Sequence, residues 1–271
     1  MSRNSNPWTD EEIQFVKDNY ETMTQREIAE KINRTESAVN IKASKLGLKK
    51  GYQFNRRYFQ NIDSADKAYW LGFIWADGCI TKVDATNSGE LSIELQVTDI
   101  MHLKKFNKCL DGNLQVKTRI RSNCFKGQYA DREYETAFIR VHSIDMVNDL
   151  EALGCSSAKS SIIGMPKISD EFMWDFIRGY FDGDGCVRYA DPRYPNEIRC
   201  DFTSVAEDLT NNLRAWLYEN NVLTHIFHDR NKLRLTTSGT ENAIKLLSNM
   251  YDNATIYLDR KYQKQIKIRN K

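Results

Sequence analysis

The chain has 271 residues, in which 39 Lys and Arg are nearly balanced by 37 Asp and Glu, so the net charge is only +2. This balance excludes a general polycation, and any attraction to polyanions must come from local basic patches. The length predicts two or three small domains. No apolar run is long enough to cross a membrane, and the six Cys are scattered without C-x-x-C pairs, which predicts reduced thiols in a cytoplasmic protein.

Residues 1–50 are predicted to form a separate unit of three helices. Two capping-box patterns, T-x-x-E at positions 9–12 and 24–27, each start a helix. A short turn at 33–35 leads into a third helix, which makes this a helix-turn-helix arrangement. The sequence WTDEE, which begins at Trp8, resembles the Myb/SANT-like members of that group.

The third helix carries the face that we expect to read DNA. Its apolar residues Val39, Ala43 and Leu46 are predicted to face inward. The opposite face, which we predict to enter the major groove, carries Ser37, Asn40, Ser44 and Lys45. A protein-interaction bundle is the alternative, but the stretch from Arg34 to Arg57 argues against it, because it holds seven basic residues and one acid.

A basic linker is predicted over residues 51–64. Four basic residues near its start are expected to contact DNA phosphates, namely Lys49, Lys50, Arg56 and Arg57. The composition of this stretch therefore predicts that the linker follows the DNA backbone.

Two short segments further along the chain are nearly alike. Residues 70–78 read WLGFIWADG and residues 177–185 read IRGYFDGDG. Each is an apolar helical run with small residues four places apart, and two such helices can pack with their backbones close together. Each ends in Asp-Gly, where the glycine is expected to adopt the left-handed conformation that ends many helices.

Asp77 and Asp184 therefore fall at the C-terminal ends of two adjoining helices. Carboxylates there repel each other and the negative end of the helix macrodipole. A divalent cation such as Mg²⁺, which prefers oxygen ligands, removes this conflict. One Asp-Gly after a helix is usually only a turn, but two matched copies predict a metal site for cleavage of a phosphodiester backbone.

The residues around the two segments repeat in step with them. In each half the pattern reads helix, two strands, helix, two strands, helix, which predicts two related subdomains at 65–165 and 166–271. Four residues fall at matched distances from the two Asp residues, Asp99 with Val205 and Lys159 with Lys261.

Polar and basic residues alternate with apolar ones along the predicted strands of both halves. The stretch 114–121 is expected to turn Leu114, Val116 and Ile120 to the face opposite its basic residues. A sheet that faces solvent is the alternative for one strand, but repetition in both halves favours DNA, because Arg, Lys and Gln side chains pair with base edges. The predicted contacts are Gln96, Gln115, Lys117, Arg119, Arg121, Arg140, Arg188, Arg199, Lys232 and Arg234.

These motifs resemble the two-motif, single-chain LAGLIDADG homing endonucleases over about residues 66–270. The matching letters are Gly72, Ile74, Ala76, Asp77 and Gly78 in the first segment and Gly179, Asp182, Asp184 and Gly185 in the second. Trp75 departs from the family at a place that is not a metal ligand. The resemblance implies an α+β fold, a pseudo-twofold pair of αββαββα subdomains with saddle-shaped antiparallel sheets, preceded here by the three-helix domain.

The resemblance also implies roles for individual residues. The metal ligands, for Mg²⁺ or Mn²⁺, would be Asp77 and Asp184 with the carbonyls of Ala76 and Gly183. The other catalytic residues would be Lys159, Lys261 and Asp99, which organise a network of water molecules. Val205 is apolar at its matched place, where Gln96 or Ser204 is expected to substitute.

We therefore expect a monomeric, site-specific endonuclease that makes a double-strand break in DNA at a long asymmetric target, as an intron-encoded homing enzyme. An intron RNA maturase, with intron RNA as a partner, and a non-cleaving transcriptional regulator are the alternatives. No membrane partner is expected. The expected location is the cytoplasm, on the nucleoid of a bacterial or phage-infected host, with an organellar origin left open.

Overall fold

The computed structural model divides the chain into two compact units. Met1–Phe54 and Asp111–Gln115 form the smaller unit, and Asn55–Leu110 with Val116–Lys271 form the larger one. The structure describes residues 7–20, 23–48, 51–122, 133–156, 164–191, 194–230 and 232–269. Three predicted site residues, Lys49, Lys50 and Lys159, lie outside these ranges.

The smaller unit contains the helices α1 (Asp10–Asn19), α2 (Gln25–Lys31) and α3 (Glu36–Lys45). Both predicted capping boxes are confirmed at α1 and α2. In each, the N-cap threonine hydroxyl accepts from the N–H of the glutamate three residues later, and that glutamate's carboxylate accepts from the threonine N–H. Asn33, in the turn before α3, has a left-handed φ of 52°. The buried core of this unit is Val16, Tyr20, Ile28, Ala29, Val39 and Ala43.

The first half of the larger unit follows the predicted order of elements. These are α4 (Ala65–Asp77), β1 (Gly78–Val83), β2 (Ser88–Gln96), α5 (Ile100–Cys109), β3 (Lys117–Ser122), β4 (Glu133–His142) and α6 (Ile144–Ala152). Their strands form an antiparallel sheet in the order β1-β2-β4-β3.

The second half repeats this order and adds one helix. Its elements are α7 (Met173–Asp184), β5 (Gly185–Asp191), β6 (Tyr194–Ser204), α8 (Glu207–Glu219), β7 (Thr224–Asp229), β8 (Lys232–Thr237), α9 (Gly239–Tyr251) and α10 (Asp259–Arg269). The sheet order is β5-β6-β8-β7. The predicted αββαββα repeat and mixed α+β class are thus present in both halves.

Each sheet has an apolar face against the helices and a polar face. Leu91, Ile93 and Ile139 of the first sheet are fully buried, as is Cys200 of the second, and the residues between them along each strand point the other way. None of the helices that the structure describes is long and apolar enough to cross a membrane.

The prediction for the strand at 114–121 is corrected for Gln115 and confirmed for the face on which Ile120 lies. Gln115 precedes β3 and belongs to the residues grouped with the smaller unit, so it is not on the sheet. Ile120 does lie on the face opposite Arg119 and Arg121, but it is 68% exposed. β3 is the edge strand, and the helices of the larger unit do not cover it at this position.

The helices α4 and α7 pack along the seam between the two halves with backbones in contact. A Cβ on Gly72 would lie 1.9 Å from the carbonyl oxygen of Phe176, and a Cβ on Gly179 would lie 1.9 Å from that of Tyr69. The two clashes are reciprocal, because Gly72 and Gly179 occupy equivalent places in the two helices. The predicted close packing at small residues is confirmed.

The expected left-handed glycines at the ends of these helices are wrong. Gly78 has φ −74° and Gly185 has φ −84°, which are extended conformations that any residue adopts. Glycine is needed there for space instead, since a Cβ on Gly78 would lie 2.7 Å from Ile74 Cγ2 and one on Gly185 would lie 2.2 Å from the Phe181 ring. Each helix passes straight into a strand without room for a side chain.

Residues 55–64, predicted to be part of the linker, are packed within the larger unit. Tyr58 is 6% exposed and Phe59 is fully buried, with their rings in edge-to-face contact. Burial of two aromatic side chains fixes this segment, so the boundary falls at residues 54 and 55.

Candidate functional site

Asp77 and Asp184 are the last residues of α4 and α7, and both are exposed. Gly183 brings the two helix ends together, because a Cβ there would lie 2.2 Å from Ala76 Cβ and 3.3 Å from Asp77 Oδ2. The predicted metal-binding acids therefore lie at the same end of the seam, one contributed by each half.

A cleft of about 440 Å³ opens beside Asp77. Its lining consists of Asp77, Glu94, Leu95, Gln96, Asp99, Arg121, Tyr134, Thr136, Gly183 and Arg260. Gly183 and Arg260 belong to the second half, so both halves build the site. The cleft unites five predicted site residues, Asp77, Gln96, Asp99, Arg121 and Gly183, with Arg260, which the sequence did not indicate.

Asp99 is held by an arginine from the other half of the larger unit. Its carboxylate is 7% exposed, and its Oδ2 accepts a hydrogen bond of 2.7 Å from Arg260 Nε. The Arg260 side chain is about half exposed, so its remaining N–H donors face a cleft open to solvent. The only sequence signal for Arg260 is its place directly before Lys261.

The predicted match of Asp99 with Val205 is corrected by the strand register. Gly78 pairs with Ile93 and Gly185 pairs with Phe202, so the second hairpin spans 17 positions (202 − 185) against 15 in the first (93 − 78). Three residues beyond these pairs, Gln96 is the counterpart of Val205. Counting along the sequence missed this difference in hairpin length.

Lys261 is buried and caps the C-terminal end of α7. Its Nζ donates hydrogen bonds to the carbonyl oxygens of Phe181 at 2.7 Å, Gly183 at 2.9 Å and Gly185 at 2.6 Å. Burial lowers the pKa of Lys261 to about 8, although the carboxylates of Asp182 and Asp77 oppose this shift. When protonated, the Lys261 ammonium group stabilises the negative C-terminal end of α7, at which Asp184 lies.

The donor set at the end of the seam fits a magnesium ion. Among the residues that the structure describes, no three His, Cys, Asp or Glu side chains group into a complete metal site. Two exposed carboxylates and adjacent carbonyls are nevertheless the hard oxygen donors that Mg²⁺ takes from proteins when substrate phosphates and water complete its shell. Asp77 and Asp184 would hold it, with the Gly183 carbonyl, which also accepts from Lys261, as a neighbour.

A buried polar network lies behind this end of α7. Asp182 is fully buried and accepts hydrogen bonds from Tyr69 Oη at 2.8 Å, Tyr251 Oη at 2.5 Å and the N–H of Leu258 at 2.7 Å. Burial raises the pKa of the Asp182 carboxyl, and the three donors oppose that shift. Tyr69 belongs to the first half and the others to the second, so the network ties the halves together.

The polar face of the first sheet carries four of the predicted DNA contacts, Lys117, Arg119, Arg121 and Arg140, beside Gln96. The arginines are paired with acids of β2. Glu94 accepts from Arg119 Nε at 2.9 Å and from Arg121 Nε at 2.7 Å, with a second bond to each guanidinium. Glu90 lies 3.8 Å from Arg140 Nε.

The polar face of the second sheet carries the other four, Arg188, Arg199, Lys232 and Arg234. Arg188 Nε donates to Asp201 Oδ2 at 2.5 Å, and Arg199 pairs with Glu197. The Arg234 guanidinium lies 5.7 Å from the centre of the Phe227 ring. In both halves, therefore, basic side chains share one face with acids that hold them.

The remaining predicted DNA contacts lie outside the sheets. Ser37, Asn40, Ser44 and Lys45 are all exposed on α3 of the smaller unit. In the larger unit Arg56 is exposed. Arg57 forms an ion pair with Asp149 of α6, in which Arg57 Nη1 lies 3.1 Å from Asp149 Oδ1.

The sequence pattern of a LAGLIDADG-like domain matches residues 171–251, which run from just before α7 to the end of α9. The homing endonuclease I-WcaI, bound to its DNA recognition sequence, has a TM-score of 0.57 at 14% identity, over 81% of this chain and 96% of that one.

Two further solved structures are similar. The meganuclease I-AabMI bound to uncleaved DNA has a TM-score of 0.48 at 15% identity, covering 74% of this chain and 88% of that one. The N-terminal LAGLIDADG domain of DUF199/WhiA has a TM-score of 0.43 at 18% identity, covering 72% and 89%. No curated protein sequence matches the chain significantly.

Within the second half, residues 171–251 are thus similar in sequence to a LAGLIDADG-like domain. The likeness to I-WcaI shows that the chain has the fold of that homing endonuclease.

Proposed function

We propose that this protein is a site-specific DNA endonuclease that acts as a monomer with Mg²⁺ or Mn²⁺. The observation that supports this most is the placement of Asp77 and Asp184, exposed at one end of a seam whose glycines allow the helices to touch. Its fold is shared with I-WcaI, whose structure contains its DNA recognition sequence. Intron-encoded homing is part of this proposal.

The chain's own groups would prepare the phosphate and the attacking water. Asp77 and Asp184 would hold a divalent metal, which when bound would supply charge neutralisation and activation of the attacking water. Arg260, oriented by Asp99, donates N–H groups to the scissile phosphate. Gln96, exposed in the same cleft, hydrogen-bonds the water network, and Lys261 holds the end of α7 in place.

The two polar sheet faces would follow the duplex on either side of the seam. Arg and Lys side chains there pair with guanine edges and phosphates. The exposed face of α3, with Asn40 and Lys45, would add contacts to a further part of the target.

The test is cleavage of a library of randomised duplexes, read by sequencing the ends that form. We expect cutting with Mg²⁺ and none in excess chelator. Asp77→Asn and Asp184→Asn should each reduce the rate by on the order of 100-fold or more, the scale of losing a group that acts directly on the transition state, while DNA binding remains.

Asp208→Asn is the matched control, since it removes an exposed carboxylate from the first turn of α8, away from the seam. It should cut like the unmodified chain. Undiminished cutting by both seam variants would overturn the assignment of the acids.

A further inference from the structure

Glu94 is the centre of an ion-pair cluster on the polar face of the first sheet. Its carboxylate binds two guanidinium groups and also accepts a hydrogen bond of 2.6 Å from Thr136 Oγ1. The paired arginines hold the pKa of Glu94 well below its usual range, so the carboxylate stays charged at neutral pH. Its own side chain is only 24% exposed, whereas those of Arg119 and Arg121 are 36% and 44% exposed.

The cluster leaves both arginines able to donate elsewhere. Each guanidinium has five N–H donors and uses two of them on Glu94 through Nε and Nη2. Arg119 also lies 4.8 Å from the centre of the Phe138 ring, which limits its movement further. The planes of the guanidinium groups are therefore fixed before any DNA arrives, and less rotamer freedom is lost on binding.

The second sheet contains a similar cluster at a different place, because the register that pairs Ile93 with Gly78 and Phe202 with Gly185 makes Ser92 the counterpart of Asp201. Asp201 is 5% exposed, accepts from Arg188 Nε at 2.5 Å and accepts from Thr236 Oγ1 at 2.7 Å. An acid of the second strand of the half thus holds an arginine and a threonine hydroxyl in each sheet. Both clusters lie on the polar faces that carry the predicted DNA contacts.

A carboxylate among arginines has opposite effects on the two kinds of DNA contact. Free guanidinium groups bind any phosphate, which gives sequence-independent affinity that falls steeply with salt. A fixed negative charge weakens that attraction, but it does not hinder a hydrogen bond from an oriented guanidinium to guanine O6 and N7. The acid therefore shifts binding from the backbone towards the bases.

We propose that Glu94 in the first sheet and Asp201 in the second are specificity-determining residues that orient arginines for base recognition and suppress sequence-independent binding. This inference rests on the DNA-binding part of the proposed function and is independent of cleavage.

The test measures binding in chelator, so that no cutting occurs. The probes are a labelled duplex of arbitrary sequence, titrated at several salt concentrations, and a randomised duplex pool sequenced after selection. We expect Glu94→Gln to bind the arbitrary duplex several-fold more tightly, with a steeper salt dependence. The sequences that it selects should be less restricted at one cluster of positions than those selected by the unmodified chain.

Glu135→Gln is the matched control, because Glu135 lies on the opposite face of the same sheet, is exposed and forms no ion pair with a described residue. Equal effects of the two substitutions would overturn the inference, since only total charge would then matter. Uniform weakening by Glu94→Gln at unchanged salt dependence would also overturn it.

Asp201→Asn, measured in the same way, keeps the inference testable if Glu94→Gln does not fold. We expect it to relax selection at a second, separate cluster of positions. Selection by Asp201→Asn as strict as that of the unmodified chain would overturn the assignment. An unmodified chain that binds no duplex would instead refute the proposed function.

Discussion

Residues 75 and 182 occupy equivalent places in the two seam helices, but the polar groups of their side chains have different hydrogen-bond partners. Trp75 packs on Phe176 and donates from Nε1 to the carbonyl of Gly164 at 3.0 Å. Asp182 instead accepts three hydrogen bonds from buried donors. The chain therefore tolerates an indole and a carboxylate at one position of the repeat, because each has its own partner.

His102 extends the Asp182 network into the first half. It is 2% exposed, and its Nε2 lies 3.1 Å from Tyr69 Oη. Burial lowers the pKa of His102 from 6.5 to about 3, with smaller effects from Lys105 and Arg260. The folded chain therefore keeps this imidazole neutral under conditions in which an unfolded chain would protonate it.

This difference predicts a loss of stability in mild acid. A folded-state pKa below the unfolded value means that stability is fully present above pH 6.5 and decreases as pH falls towards 3. The slope is about 1.4 kcal/mol per pH unit, so His102 accounts for about 2 kcal/mol lost between pH 7 and pH 5. Denaturant unfolding at the two pH values measures this loss.

His102→Gln removes the titrating group. The free energy of unfolding lost between pH 7 and pH 5 should therefore be smaller by about 2 kcal/mol in this variant. His225→Gln is the control, since His225 is exposed in the second half. An unchanged difference between pH 7 and pH 5 in His102→Gln would contradict the prediction.

At the scale of elements, the seam helices decide where the acids lie. Their contact depends on two glycines, since a Cβ on either would meet a backbone carbonyl of the other helix at 1.9 Å. A backbone atom cannot rotate away as a side chain can, so the helices would have to separate. Separation would also move Asp77 and Asp184 apart.

We therefore expect Gly179→Ala to destabilise the larger unit by about 3 kcal/mol, at the upper end of the usual cost of overpacking. Metal-dependent cleavage should fall as well, even under conditions in which the variant remains folded. Denaturant unfolding and cleavage rates measure the two effects.

Gly164→Ala is the matched substitution, because a Cβ at Gly164 has nothing within 4 Å and its φ is not left-handed. It should leave both stability and cleavage nearly unchanged. Gly179→Ala with stability and cleavage equal to those of Gly164→Ala would contradict the close packing.

At the scale of the molecule, the two halves share their topology but not their side chains around the site. The first half provides Gln96 and Asp99, and Arg260 reaches Asp99 from α10. The counterpart of Gln96 in the second half is Val205, which is 43% exposed and cannot hydrogen-bond water. The backbone topology is therefore repeated in the two halves, whereas the side chains on the two sides of the site differ.

We expect the two DNA strands to be cut at unequal rates. The side with Gln96, Asp99 and Arg260 should act faster, and nicked duplex should accumulate before the double-strand break. A duplex with different labels on its two 5′ ends measures both rates. Gln96→Val should slow mainly the faster cut, and equal slowing of both cuts or equal rates in the unmodified chain would contradict the prediction.

Much of the fold could be predicted because it depends on local patterns. Small residues four apart placed the seam, alternation along β3 and β8 placed the sheet faces, and the T-x-x-E patterns placed the starts of α1 and α2. The hairpin lengths and the first residue of β3 could not be predicted in this way, because strand register depends on the partner strand.

By itself, the sequence determined that two matched helices end in Asp-Gly and that each begins a repeat of the same elements. Tertiary structure alone decided which distant side chains meet. Arg260 reaches Asp99 across 161 positions of the chain, and Glu94 joins arginines 25 and 27 residues away. The reason is physical: periodicity fixes the face on which a residue lies, whereas a contact between faces depends on register and helix packing.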